Sequence, residues 1–212
     1  MKTMNYCLGV VAVAMCAQGA LGAISNLNAG ESADLFGITA AEDMSLVGTA
    51  NDFSQDISIF DAAGNLFEAR FQSRAITRFD TGQIDFAWRI SGIEDLAGQV
   101  ASVVVNGHEA WSVGVEYRID GLGDVGPTSA FRTEDGDSVG FNFDDPAVGF
   151  ENESKFFFAR SDASDFAMTG TARITLVTGQ FIDVDTWAPA VPAPGSLALL
   201  GLGGLTAMRR RR

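Results

Sequence analysis

Cysteine is almost missing from this chain. Its 212 residues hold two, Cys7 and Cys16, and both lie in an apolar run near the N-terminus. From residue 23 onward there is none, which excludes disulfides, structural cysteine–zinc sites and cysteine nucleophiles together. Basic residues are scarce too: 14 stand against 27 acidic ones, for a formal net charge of −13. Lys2 opens the chain and Arg209 to Arg212 close it. Residues 23–190 therefore carry all 27 acidic side chains against nine basic ones, a charge of −18. Nucleic acid is excluded as a partner, because phosphate binding needs clustered lysine and arginine. The balance suits a soluble domain outside the cell, where self-repulsion limits association. Helical i, i+3, i+4 apolar stripes are nearly absent, and no repeat of fixed period is visible.

The two ends differ from the middle. Residues 1–6 carry one basic side chain, residues 7–17 are apolar, and small residues stand at Ala20 and Gly22. The pattern predicts a secretory signal peptide over residues 1–22, handled by the Sec translocon and signal peptidase, with cleavage after Gly22 or after Ala23. The apolar run is too short to span a bilayer, which needs about 20 such residues. Cys16 follows Met15 rather than a small residue, so it reads as part of the signal core and not as a lipidated terminus. Proline is rare: of five, three fall at Pro189, Pro192 and Pro194. Proline cannot donate to a ladder and disfavours helix before it. The folded domain is therefore expected to span residues 23–187, with an extended, exposed linker over residues 188–195. About 170 residues make one domain with a sizeable core.

Within that domain the period is two. Ile57 and Ile59 flank Ser58, and Asp61-Ala62-Ala63-Gly64-Asn65 reads as a turn. A strand is expected over residues 66–73, continuing past a bend over 75–79. The clearest strand is 83–90, with Ile84, Phe86, Trp88 and Ile90 on one face and Asp85, Ala87 and Arg89 on the other. Residues 100–105 predict a deeper strand. Residues 111–119 repeat the alternation, with Trp111, Val113, Val115, Tyr117 and Ile119 inward. Further strands are expected at 139–143, 155–160, 171–177 and 181–187. Residues 23–55 read as loops with a short strand or helical turn. Many short strands with turns between them predict an all-β fold, an antiparallel β-sandwich of jelly-roll-like type.

Candidate chemistry is thin. His108, the only histidine, lies in Asn106-Gly107-His108-Glu109 and reads as an exposed turn residue. A Ser-His-Asp triad would need it, yet no Gly-x-Ser-x-Gly elbow accompanies it. Carboxylates gather at Glu134, Asp135 and Asp137, at Asp144 and Asp145, and upstream at Asp120 and Asp124. Calcium takes several oxygen ligands from such loops, but the EF-hand spacing is absent. Solvated loops account for these residues, with a calcium site as the alternative; no other cofactor is implied. A glycosidase would need two carboxylates facing each other across a cleft, and nothing singles out a pair. Trp88, Trp111, Tyr117 and the phenylalanines could line a carbohydrate platform, but most fall on apolar strand faces and read as core.

The C-terminus is the most specific feature. Val191-Pro192-Ala193-Pro194 and Gly195-Ser196 precede an apolar run over residues 197–208, then Arg209, Arg210, Arg211 and Arg212. As a short hydrophobic helix the run would be roughly 18 Å long, against a hydrocarbon core of about 30 Å. Transient insertion, with the arginines on the cytoplasmic side, is the arrangement these elements allow. The tail resembles the PEP-CTERM sorting signal, although Ala193 stands where that motif places glutamate. The resemblance implies a bacterial protein exported by a signal peptide. An exosortase, a membrane protease-transpeptidase, would remove the tail and pass the protein to the cell surface or an exopolysaccharide-rich matrix. Gly82-Gln83-Ile84-Asp85-Phe86-Ala87-Trp88 and residues 153–163 resemble, more loosely, strands of a β-rich domain common in such proteins, which generally has no assigned activity. The expectation is a non-enzymatic surface or matrix protein. The rivals are a carbohydrate- or calcium-binding module and, further off, a secreted polysaccharide hydrolase.

Overall fold

The computed structural model describes residues 23–43, 47–93, 98–144, 148–149 and 152–190. The expected signal peptide over residues 1–22 and the tail from Val191 lie outside them. Thirteen strands run in chain order: β1 (Ser25–Asn26), β2 (Ser32–Asp34), β3 (Gly48–Phe60), β4 (Leu66–Arg78), β5 (Ile84–Ser91), β6 (Gln99–Val105), β7 (Val113–Tyr117), β8 (Ser129–Arg132), β9 (Val139–Asn142), β10 (Val148–Gly149), β11 (Phe157–Ser161), β12 (Phe166–Leu176) and β13 (Phe181–Pro189). No α-helix occurs among the described residues, and none of their segments is a helix able to cross a membrane.

The strands form two antiparallel sheets. One has six strands in the order β1-β7-β11-β5-β4-β3; the other runs β13-β12-β6-β9-β8-β2, with β10 beside β6. This is a β-sandwich. Strand alternation places one face of each sheet inward. On β4 the inward set is Phe67, Ala69, Phe71, Ser73 and Ala75; on β5 it is Ile84, Phe86, Trp88 and Ile90. Val103, Val105, Phe141, Ile174 and Leu176 meet them from the other sheet.

Trp88 sits at the centre with no exposed surface. Its ring lies 6.0 Å from those of both Phe141 and Phe157. Its Nε1–H donates to Thr186 Oγ1 at 2.7 Å, and Thr186 Oγ1 meets Ser73 Oγ at 2.7 Å. Ser73 Oγ also accepts from the Trp187 amide at 3.2 Å. Trp88, Ser73 and Thr186 thus satisfy one another across the two sheets.

The β3–β4 hairpin turns where the sequence places a turn. Asp61 Oδ1 accepts from the amides of Ala63 and Asn65, both at 2.8 Å. Gly64 takes φ +85°, a conformation that favours glycine.

Several expectations are corrected. β3 starts eight residues before Asp56, within the part read as loops. It is an edge strand, and its first half is exposed on both faces, so no apolar alternation marks it. β4 runs unbroken through the expected bend. Trp111 precedes β7 and is only half-buried. Ile119 is exposed because the chain leaves the sheet after Tyr117. The domain does not stop at Trp187, and residues 188–190 are not an exposed linker. β13 continues through Pro189, which pairs with Phe166, and Ala188 is buried. β13 is an edge strand, where proline's missing N–H removes no ladder bond.

Candidate functional site

His108 is not an exposed turn residue. It is fully buried, with its ring edge-on to Phe86 at 5.7 Å and to Trp88 at 6.3 Å. Neither ring nitrogen has a hydrogen-bond partner. Burial, and then the charge of Arg132, push its pKa down to about 4, so the imidazole is neutral at pH 7. Among the described residues no serine or carboxylate hydrogen-bonds to either ring nitrogen.

Among the described residues, which do not include Asp145, the acidic loop side chains do not converge. Asp135 Oδ1 accepts from Thr133 Oγ1 at 2.5 Å and from the Asp137 amide at 3.0 Å. Asp137 Oδ1 accepts from the Gly107 amide, Asp144 Oδ2 from Thr128 Oγ1, and Asp124 Oδ2 from the Glu153 amide. Each carboxylate fastens a different turn. No group of three or more histidine, cysteine, aspartate or glutamate residues placed to hold a metal ion occurs among the described residues.

The feature that sequence reasoning missed lies on the outer face of the six-stranded sheet. Register sets which side chains share it. Arg70, Arg74 and Arg78 project outward from β4, and Asp85, Ala87 and Arg89 from β5. Phe158 and Arg160 do so from β11, with Phe156 and Arg118 opposite each other just beyond the ends of β11 and β7. Six of the nine basic side chains of residues 23–190 therefore stand on one face of one sheet. The signal was present in β4, where Arg70, Arg74 and Arg78 are spaced by four and alternate with Phe67, Phe71 and Ala75.

Each arginine has a carboxylate partner. Arg70 Nε meets Asp56 Oδ1 at 2.9 Å. Arg74 holds Asp52 in two bonds, at 2.5 and 2.9 Å. Arg118 Nε reaches Asp120 Oδ1 at 2.6 Å, and Arg160 Nη1 reaches Asp43 Oδ2 at 2.9 Å. Arg89 pairs with Glu153. Arg78 and Arg160 approach Asp85 Oδ1 with their Nε atoms at 3.4 and 3.6 Å. The hydrogen bond from Arg74 holds the Asp52 carboxyl below the usual range, and that from Arg118 does the same for Asp120.

Asp85 was expected on a wet face and is instead 1% exposed. Ile38, Ile76, Phe156 and Phe158 cover that side of the sheet and form a second, smaller apolar cluster around Ala87. Burial raises the Asp85 pKa to about 6, opposed by the nearby charges of Arg160 and Arg78.

Above this cluster is a cleft of about 230 Å³. Its floor is Ile76, Ala87, Phe156 and Phe158, with the Asp85 carboxylate among them. Gln72 and Arg74 form one wall, Arg118 the other, and Gly121 and Leu122 the rim. The Arg74 guanidinium lies over the Phe156 ring, 4.8 Å from its centroid. Leu122 is 63% exposed.

The rim is held by a close backbone approach. Gly123 takes φ +98°, and a Cβ there would lie 2.1 Å from the Ser154 carbonyl oxygen. The Asp124 and Val125 amides both donate to the Glu153 carbonyl. Gly123→Ala is expected to lower stability by more than about 1 kcal/mol and to displace the rim. A lowered thermal midpoint with altered amide resonances at Gly121 and Leu122 would show it; an unchanged melt would remove the constraint.

Comparison with family models, with curated proteins and with solved structures finds no match to this chain.

Proposed function

We propose that this chain is an exported, non-enzymatic protein of the bacterial surface or extracellular matrix, delivered through its C-terminal tail by an exosortase-type system. One observation carries the reading. Val191-Pro192-Ala193-Pro194, the apolar run over residues 197–208 and Arg209 to Arg212 occur in the order of a tripartite sorting signal. The N-terminal signal peptide over residues 1–22 and the cysteine-free, acidic domain support it. So does the position of Pro189, where β13 ends two residues before the motif begins. A processing enzyme would meet the motif directly after a folded domain. The apolar run enters the membrane transiently as a short helix, and the arginines keep it oriented. Strands β6 to β12 pass repeatedly between the two sheets, which supports a jelly-roll-like topology.

Fractionation and intact-mass measurement of the protein in its host test this. The expected product is found outside the cytoplasm, begins near Ala23 and lacks the apolar run and Arg209 to Arg212. Replacing the four arginines by glutamine is expected to leave the tail uncleaved and the protein in the membrane fraction. A full-length cytoplasmic product with both termini intact would sink the proposal.

A second role, as a carbohydrate-binding component of that matrix, is favoured by the cleft over Phe156 and Phe158. Its walls offer polar side chains above an apolar floor, as small-ligand sites do.

A further inference from the structure

We infer that the cleft between Arg74 and Arg118 binds one neutral pyranose ring of a polysaccharide, seated on the Phe156–Phe158 floor and hydrogen-bonded by the two guanidinium groups and Gln72. This rests on the carbohydrate-binding role proposed above and assigns its site.

Width comes first. Arg74 stands on β4 and Arg118 just beyond β7, and the sheet order places β5 and β11 between them. At about 4.8 Å per strand the two backbones are roughly 14 Å apart. Both side chains line the cleft from opposite sides, and the floor between them is apolar except for Asp85, which Arg78 and Arg160 approach. A volume of about 230 Å³ lies below the roughly 300–1,000 Å³ of drug-sized ligand pockets, which suits one ring with its hydroxyl groups. The cleft is too small for an oligosaccharide buried end to end, so a longer chain would leave along the open face.

Charge decides the class of ring. The domain as a whole is strongly acidic, and Glu68 and Glu116 add carboxylates to this face, yet the charges nearest the cleft are paired. Arg74, Arg78, Arg89, Arg118 and Arg160 are matched by Asp52, Asp85, Glu153, Asp120 and Asp43. With every arginine at the cleft already paired, no unmatched cation is left there to draw an anion. The cleft presents charged groups that are already held in place. Asp52 fixes Arg74 in two bonds, and Asp120, itself bonded to the Ala40 amide at 2.7 Å, fixes Arg118. A planar guanidinium has five donors in a fork, so donors remain for adjacent hydroxyl oxygens. Pre-ordering removes part of the entropic penalty of ligand binding. The apolar part of the floor matches the C–H face of a pyranose, and exposed Leu122 stands at the rim beside it.

The test uses the purified protein, isotopically labelled, titrated with the methyl glycosides of glucose, galactose, mannose and glucuronic acid, with glycerol as the polyol control. At least one neutral glycoside is expected to shift resonances of Arg74, Ala87, Arg118, Leu122 and Phe158. Arg74→Ala and Leu122→Ser are expected to weaken that binding about tenfold, the loss of one charge-assisted bond or one apolar contact. Arg173→Ala, on the other sheet, serves as the control and should change nothing. Unshifted thermal midpoints for the Leu122 and Arg173 variants separate binding from folding. Neutral glycosides that shift residues elsewhere overturn the cleft and leave the carbohydrate-binding role standing. If no glycoside binds, both fail. Equal shifts from glycerol, or preference for the glucuronide, overturn the neutral-ring assignment.

Discussion

Replacing Arg132 by leucine is expected to lower the unfolding free energy by about 4 kcal/mol or more. Arg132 is 8% exposed and forms no ion pair among the described residues. Its guanidinium is held by four backbone carbonyls instead. Nε donates to Gly136 at 2.9 Å, Nη1 to Leu27 at 3.1 Å, and Nη2 to both His108 and Trp111 at 2.9 Å. These carbonyls belong to the N-terminal segment, the loop before β7 and the β8–β9 turn, so one side chain ties three separate stretches together. Removing it leaves buried acceptors without donors, at about 1 kcal/mol or more each. Domains of this size have only about 5–15 kcal/mol in total. The thermal midpoint should fall by about 10 °C, at roughly 2–4 °C per kcal/mol. Arg132→Lys keeps the charge but has one ammonium where four bonds diverge from a planar fork, and it should recover less than half of the loss. Because the partners are neutral, the loss should be nearly the same at low and high salt. A leucine variant melting within about 1 kcal/mol of the parent would show that the cage does not hold the loops.

The same residue shows where sequence reasoning stops. Arg132 lies between Phe131 and Thr133, beside a run of acidic residues, and nothing local marks it as buried. Its partners are up to 105 positions away. His108 misled for the same reason. Asn106-Gly107-His108-Glu109 is a turn by composition, and a turn it is, yet the ring is folded back onto Phe86 and Trp88 by the strands on either side. By contrast, β4, β5, β12 and β13 were legible because each carries its own alternation, and a half-buried strand needs no distant information to show it. β1 and β2 are too short to establish a period.

The cleft falls between these cases. The outward set on β4 could be read from spacing alone. That β11 would bring Phe156, Phe158 and Arg160 beside β5, and that β7 would carry Arg118 to the far wall, depends on strand order, which alternation does not encode. The tail is the opposite case. Its three elements are contiguous in the sequence and lie outside the described residues, so the fold of the domain adds only that β13 ends at Pro189.

Two buried groups, His108 and Asp85, should give this domain opposing pH dependences. His108 has its pKa lowered to about 4. Between pH 6.5 and 4 the unfolded chain binds a proton there and the folded chain does not, so stability falls as the solution is acidified. Over the full window this amounts to about 3 kcal/mol. Asp85 has its pKa raised to about 6. Between about pH 4 and 6 the folded chain holds a proton that the unfolded chain has released, so stability falls as pH rises, again by about 3 kcal/mol. Arg132 is the charged group acting on His108; Arg160, Arg78 and Asp43 act on Asp85. The two slopes overlap and have opposite sign. Single variants should therefore separate them. Relative to the parent, His108→Leu should gain about 3 kcal/mol on going from pH 7 to pH 4. Asp85→Asn should gain about the same amount on going from pH 4 to pH 7. Taking each difference at a single pH cancels the exposed carboxylates, which titrate in parent and variant alike. Urea denaturation of the three proteins at half-unit steps between pH 4 and 7 measures both. Differences that do not change with pH would mean that neither group titrates in the folded chain as its burial requires. A slope for one variant alone would identify which of the two sites is open to water.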